Sequence, residues 1–160
     1  METKVRLERL EPILAAHTHA IGGIPEEDAW RMLETWARPR GLFDEGSGAR
    51  VFGRNTYPTE KPEPHGYEFF LTIGPGVEPE GEVDTSEIQG GLYAVLGFKG
   101  LDKIGESWER LWNWLRDSGY EYIGWRKGKY GWADGYEERL RPFEGSPQNW
   151  AFDLWLGLKE

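Results

Sequence analysis

The chain has 160 residues, 38% of them hydrophobic and 29% charged, with a net charge of −9 and no cysteine. That length suffices for one domain with a real hydrophobic core, and the balance is that of a globular chain rather than a disordered one. The composition excludes disulfides, thiolate metal sites and a cysteine nucleophile, and it argues against a phosphate-backbone partner, which recruits clustered Lys and Arg.

The first residues are charged and alternating, without the apolar segment of a signal peptide. No later run approaches the roughly 20 apolar residues that span a bilayer, so the simplest compartment is the cytoplasm. Residues Val5 to Ala20 alternate as a strand, broken at Pro12. His17 and His19 share one face of it; with no third ligand at metal spacing they are predicted to be surface histidines, and no metal or cofactor is expected. Pro25, followed by Glu26, Glu27 and Asp28, starts a helix that ends at Gly41, with Pro39 kinking or shortening its last turn. Arg50–Tyr57 and Tyr67–Ile73 pair antiparallel across the proline-rich loop Pro58 to Pro64. The segment Gly74 to Gly81 is a linker. Gly91 to Phe98 is the next strand, and a second helix opens after Asp102 as N-cap and closes at Gly119. Strands over Tyr136–Phe143 and Trp150–Leu158 follow, joined by the turn at Glu144 to Pro147. No glycine-rich loop has phosphate-binding spacing, and no serine sits in a nucleophile elbow.

The pattern Trp30-x-x-Leu33-x-x-Trp36-x-x-x-x-Gly41 recurs as Trp108, Leu111, Trp114 and Gly119, always 78 positions later, and the same offset pairs Gly22 with Gly100. The chain is therefore read as two diverged strand–helix–strand–strand copies, about 1–75 and about 82–160, sharing one sheet because neither alone could bury its sheet face. The predicted fold is a single α+β domain over 1–160, an antiparallel sheet with two helices on one face and a groove between them. The apolar stripes run Trp30, Leu33, Ala37 and Trp108, Leu111, Trp112, Leu115, which leaves Trp36 and Trp114 on the flank. As symmetry mates these two either wall a groove on the pseudo-axis or both seal the outer edges of the core. The groove is the expectation. The excess of aromatics, nine Trp, seven Tyr and seven Phe, suits a pocket that stacks on flat ligands.

The order of motifs resembles the GyrI-like small-molecule-binding domain of the AraC-type effector-binding, SOUL-like superfamily. The resemblance rests on Val5 to Ile13, on Trp30, Leu33 and Trp36, on Gly66-Tyr-Glu-Phe69, on Gly90 to Val95 with Trp108, Leu111 and Trp114, and on Tyr136-Glu-Glu-Arg-Leu140 with Phe152 to Lys159. It implies an aromatic-lined groove between the helices, floored by the sheet. A glutamate of the penultimate strand that faces bound cations in that family falls on Glu137, while Glu138 points the other way by strand alternation. Arg139 stands where the family often has tyrosine, a departure that alters pocket polarity or pairs with the glutamate. Trp132, Tyr67, Phe69, Tyr93 and Trp112 complete the candidate ligand-binding set, with core packing as the competing account of each. Some SOUL-type relatives bind haem, but nothing here singles out an axial ligand. Many relatives carry a fused DNA-binding segment, whereas this chain resembles the stand-alone members, with a small molecule as partner and neither nucleic acid nor membrane. The implied function is non-catalytic binding of bulky hydrophobic, cationic or aromatic molecules, in xenobiotic sensing or sequestration. The alternative is hydrolysis of strained cyclopropane-bearing compounds, as in some relatives, with Glu137 or a neighbouring tyrosine as acid or base.

Overall fold

The elements follow one another as β1 (Arg6–Leu10), β2 (Ile13–Ile21), α1 (Pro25–Ala37), β3 (Val51–Tyr57), β4 (Gly66–Thr72), β5 (Asp84–Ile88), β6 (Gly91–Lys99), α2 (Ile104–Ser118), β7 (Arg126–Gly128), β8 (Gly131–Ala133), β9 (Tyr136–Arg139) and β10 (Ala151–Leu158). They come from a computed structural model that describes residues 4–59, 63–124, 126–128, 130–133 and 135–160. Eight strands form a curled antiparallel sheet in the order β1-β6-β10-β9-β3-β4-β2-β5, and the β7–β8 hairpin joins it at the end of β3.

The 78-residue offset reappears in the element bounds. β1 and β5 are separated by it, and so are β2 and β6. β1 precedes β2 in the chain yet pairs with β6, while β5 precedes β6 yet pairs with β2. β1 thus forms one edge of the sheet beside β6 and β5 the other beside β2, while β3 pairs with β9 in the interior. Strand β5 is polar in sequence, DTSEI, and carries no apolar alternation that would mark it as a strand. The expected strand Tyr136–Phe143 is shorter than its apolar pattern, ending at Arg139 before Pro142, a residue with no N–H to give a ladder.

Both helices pack on one face. α1 starts at Pro25 and gives way after Ala37 to a 3₁₀ turn around Pro39, closed by Gly41 at φ 70°. α2 ends at Gly119, φ 83°. Asp102 does not cap α2: it lies in a 3₁₀ turn, Leu101–Lys103, that comes between the strand and the helix. On α1 the buried residues are Pro25, Ala29, Leu33, Trp36 and Ala37, and on α2 they are Ser107, Leu111 and Leu115, which lie 78 positions after Ala29, Leu33 and Ala37. Burying each central leucine is worth roughly 1.5–3 kcal/mol, and the small Ala29 and Ser107 let the helices lie close to the sheet.

One row of residues crosses the sheet beneath the helices: Thr18, Phe69, Gly53, Glu137, Leu154 and Leu96. Thr18 and Phe69 sit under α1, Leu154 and Leu96 under α2, so Gly53 and Glu137 fall in the gap, with the Tyr67 ring lying over Gly53. The opposite face closes on itself through the curl and holds a second core of Phe52, Phe70, Tyr93, Val95, Tyr136 and Trp155. Among the described residues no helix is long and apolar enough to cross a membrane.

Candidate functional site

The gap between the helices is a cleft of about 590 Å³. Ile24, Glu26 and Trp30 line it from the α1 side, Leu101 and Ile104 from the α2 side, and Tyr67, Phe69, Glu137 and Arg139 from the sheet. A recess of about 290 Å³ continues past Glu137, walled by Trp108 and Trp112 and shared through Asn55 and Ile104.

Among the described residues, Tyr67 and Trp108 donate to Glu137. The Tyr67 hydroxyl donates to Oε1 at 2.7 Å and the Trp108 indole N–H to Oε2 at 2.8 Å. Both depend on glycines. A Cβ on Gly53 would lie 2.5 Å from the Tyr67 hydroxyl, and one on Gly135 would lie 2.8 Å from the Trp108 ring. Bare backbone at these two points lets the rings lie across the sheet. Tyr67 is held well above the ordinary phenol range, first by burial and then by the adjacent Glu137 carboxylate, so it serves as a donor and not as a phenolate.

Arg139, two residues on and on the same face, does not ion-pair with Glu137. Its guanidinium is clamped between the Trp30 ring at 4.1 Å and the Trp150 ring at 3.9 Å. Desolvation pushes it down to about 10, partly offset by the charge of Glu34. Glu138 points to the opposite face, as alternation requires, where Arg50 grips both its oxygens at 2.8 and 2.9 Å and the Trp155 indole donates at 3.1 Å.

Of the residues expected to bind ligand, Glu137, Tyr67, Phe69 and Trp112 border the cleft or its recess. Trp36 and Trp114 do not. The buried stripe is centred on Leu33, not between Trp30 and Leu33; at about 100° per residue, Trp30 then lies about 60° to one side of it and Trp36 about 60° to the other. Trp30 and its mate Trp108 turn inwards to the cleft. Trp36 turns outwards, under the Arg40 guanidinium and beside Val83, with its N–H unpartnered among the described residues. Trp114 stacks on Tyr120 on the far side of α2. Tyr93 is also displaced: it belongs to the second core and its hydroxyl donates to the Gln89 carbonyl. The side chain of Trp132 lies outside the described residues. Trp30, Trp108 and Trp150 line the cleft or its recess beyond the expected set; the first two lie on the apolar stripes, and a stripe cannot by itself say which flank faces a partner helix.

The histidines also require correction. His17 is 3% exposed and bridges Asp84 (Nδ1, 2.7 Å) and Glu68 (Nε2, 2.6 Å) on the face away from the cleft. Its neighbour His19 bonds Thr56 and stacks on Tyr130 at 4.0 Å. Hydrogen bonds to Glu68 on β4 and Asp84 on β5 draw His17 inward, and one to Thr56 on β3 holds His19, partners that the strand's own sequence does not display.

The model of the GyrI-like small molecule binding domain matches residues 3–159. The chain belongs to this family. No curated protein sequence matches it significantly. Among solved structures, the EcmrR C-terminal domain superposes with a TM-score of 0.72 at 14% identity, covering 100% of this chain and 99% of that one. In the EcmrR–DNA complex the same likeness spans 59% of the EcmrR chain. A hydrolase from Listeria innocua superposes at 0.67 with 9% identity, over 98% of this chain and 92% of the other. SAV2435, solved bound to tetraphenylphosphonium, superposes at 0.55 with 10% identity, over 98% and 94%. At these identities the likenesses establish the GyrI-like fold. The family description makes the chain a small-molecule-binding domain.

Proposed function

We propose that this GyrI-like chain binds, without turning over, a bulky flat hydrophobic molecule carrying positive charge, held in the cleft between α1 and α2. We read residues 1–160 as one unit in which two quasi-equivalent halves build that cleft. The observation that carries the reading is the carboxylate of Glu137 on the cleft floor, oriented by Tyr67 and Trp108 and surrounded by rings. A carboxylate in a partly dry, aromatic setting attracts a cation far more strongly than one in water, and ring faces add cation–π attraction. The acidic chain further concentrates cations near the mouth. That a protein of the same fold was solved with a bulky organic cation is consistent with this. A sensing or sequestering role follows for a binder that leaves its ligand unaltered.

Titration of tryptophan fluorescence with a planar cationic dye such as proflavine tests the reading. Saturable quenching with a sub-millimolar Kd, weakened by Glu137→Gln, is the expected result. Absence of saturation to millimolar dye, or an unchanged Kd in the variant, overturns it. One observation favours a second reading as a hydrolase of cyclopropane-bearing compounds: the Tyr67–Glu137 hydrogen bond places a proton donor and a base side by side in the cleft. Turnover of such a compound, abolished in Glu137→Ala, would replace mere binding.

A further inference from the structure

The cleft holds a second charge that a cation site does not need. Arg139 is 9% exposed, yet among the described residues it has no acidic partner. Its Nη2 donates to the Phe143 carbonyl at 3.0 Å, its Nε is buried with no acceptor, and its other amino group makes no hydrogen bond. Glu34, whose charge it feels, is already engaged by Arg38 at 2.7 Å. The fold pairs its other buried guanidinium directly: Arg54 sits 2.6 Å from Glu68. An unpaired buried charge is costly, and the flanking Trp30 and Trp150 rings compensate only in part.

We propose that Arg139 is an anion subsite and that the ligand is a flat zwitterion, with its cationic group at Glu137 and a carboxylate at Arg139. This rests on the cleft being the ligand site. Strand spacing sets the two charged residues roughly 6.6 Å apart on one face, within the reach of opposite charges on one fused-ring molecule. A guanidinium fork with vacant donors matches a carboxylate in geometry, and burial strengthens the pair. The molecule is not a simple anion, because Glu26, Glu27 and Glu137 all border the cleft and repel one. It is not a simple cation either, because that would leave Arg139 unpaired and add a like charge beside it.

Rhodamine 110 and rhodamine 123 test this, being the free acid and its methyl ester on one xanthene core. Fluorescence polarisation at neutral pH measures each Kd against the full chain. The zwitterionic acid binds roughly ten-fold tighter than the cationic ester, and Arg139→Met brings the ratio to about one. Arg139→Lys, which keeps charge but lacks the planar fork, retains an intermediate ratio, and it stands in if the methionine variant does not fold. Equal or tighter binding of the ester by the unaltered chain overturns the zwitterion while leaving the cleft as the site. A preference for the acid that survives both substitutions overturns the role of Arg139. Failure of both dyes to saturate overturns the cleft reading and this one with it.

Discussion

The Tyr67 hydroxyl passes over Gly53 to reach Glu137 Oε1 at 2.7 Å, so that residues 70 positions apart are joined across a strand that contributes only backbone. A methyl group at position 53 would stand 2.5 Å from that hydroxyl and 2.6 Å from the ring, closer than side chains tolerate. Gly53→Ala therefore displaces Tyr67. The expected cost is about 1–3 kcal/mol, as for overpacking elsewhere, read as a lowered denaturation midpoint. Dye binding weakens with it, because Glu137 loses its orienting donor. Gly74→Ala, with nothing within 4 Å of the added atom, is the matched control. Equal midpoints for the two variants would show that the crossing at Gly53 is looser than described.

Neighbours on one strand give a sharper separation. Glu137 faces the cleft and Glu138 the inner core, bound to Arg50 and the Trp155 indole. Glu138→Gln is expected to lower stability by about 1.5 kcal/mol, the low end of the range for hydrogen bonds to a charged group, because Arg50 is 39% exposed. Cationic dye affinity stays as it was. Glu137→Gln should raise the dye Kd roughly ten-fold or more, about 1.4 kcal/mol per decade, with a smaller effect on unfolding. Chemical denaturation and dye titration on both variants check this, and a reversal of the two effects would sink the assignment of faces.

How far the sequence reaches is plain from these residues. Glu137 and Glu138 fall on opposite faces because strand alternation is a local rule, and the helix ends at Gly41 and Gly119 obey equally local chemistry. The offset of 78 pairs Trp30 with Trp108 and Trp36 with Trp114 in the sequence. It did not identify which pair faces the cleft, because Trp30 and Trp36 lie symmetrically about the stripe and only the partner helix breaks the tie. β5 was hidden for a related reason: it is an exposed edge strand with a polar sequence, recruited by pairing with β2. The burial of His17 depends on Glu68 and Asp84, both distant in the chain.

The two tryptophan pairs can be told apart in solution. Trp30 and Trp108 border the cleft and its recess, whereas Trp114 stacks on Tyr120 outside it. Trp30→Phe and Trp108→Phe are each expected to weaken dye binding by about 0.5–1.5 kcal/mol, the worth of an aromatic contact. Trp108→Phe adds loss of the N–H that holds Glu137. Trp114→Phe leaves dye Kd and the quenched fluorescence unchanged, since its ring is not among those the ligand reaches. Fluorescence titration of the three variants decides; loss of affinity in Trp114→Phe comparable to the other two would restore the outer tryptophans to the site.

Acid stability should be governed by the chain Asp84–His17–Glu68–Arg54 on the inner face. Burial alone would push the Glu68 carboxyl up, but the His17 hydrogen bond and the Arg54 guanidinium 2.6 Å away outweigh it and hold Glu68 below its usual 4.5. The folded state then binds fewer protons here than the unfolded state. Its contribution to stability is complete above about pH 4.5 and is lost as pH falls through the lower, folded value. Glu68→Gln at neutral pH leaves Arg54 buried without a counter-ion, expected to cost about 3 kcal/mol, at the low end for breaking a buried pair. The unaltered chain should therefore lose stability as pH falls below about 4.5, while the variant, lacking the titrating group, loses less and approaches it in acid. Denaturation midpoints of both chains measured from neutral to acid pH check the convergence. Two curves that stay parallel throughout would mean that Glu68 does not carry the acid sensitivity.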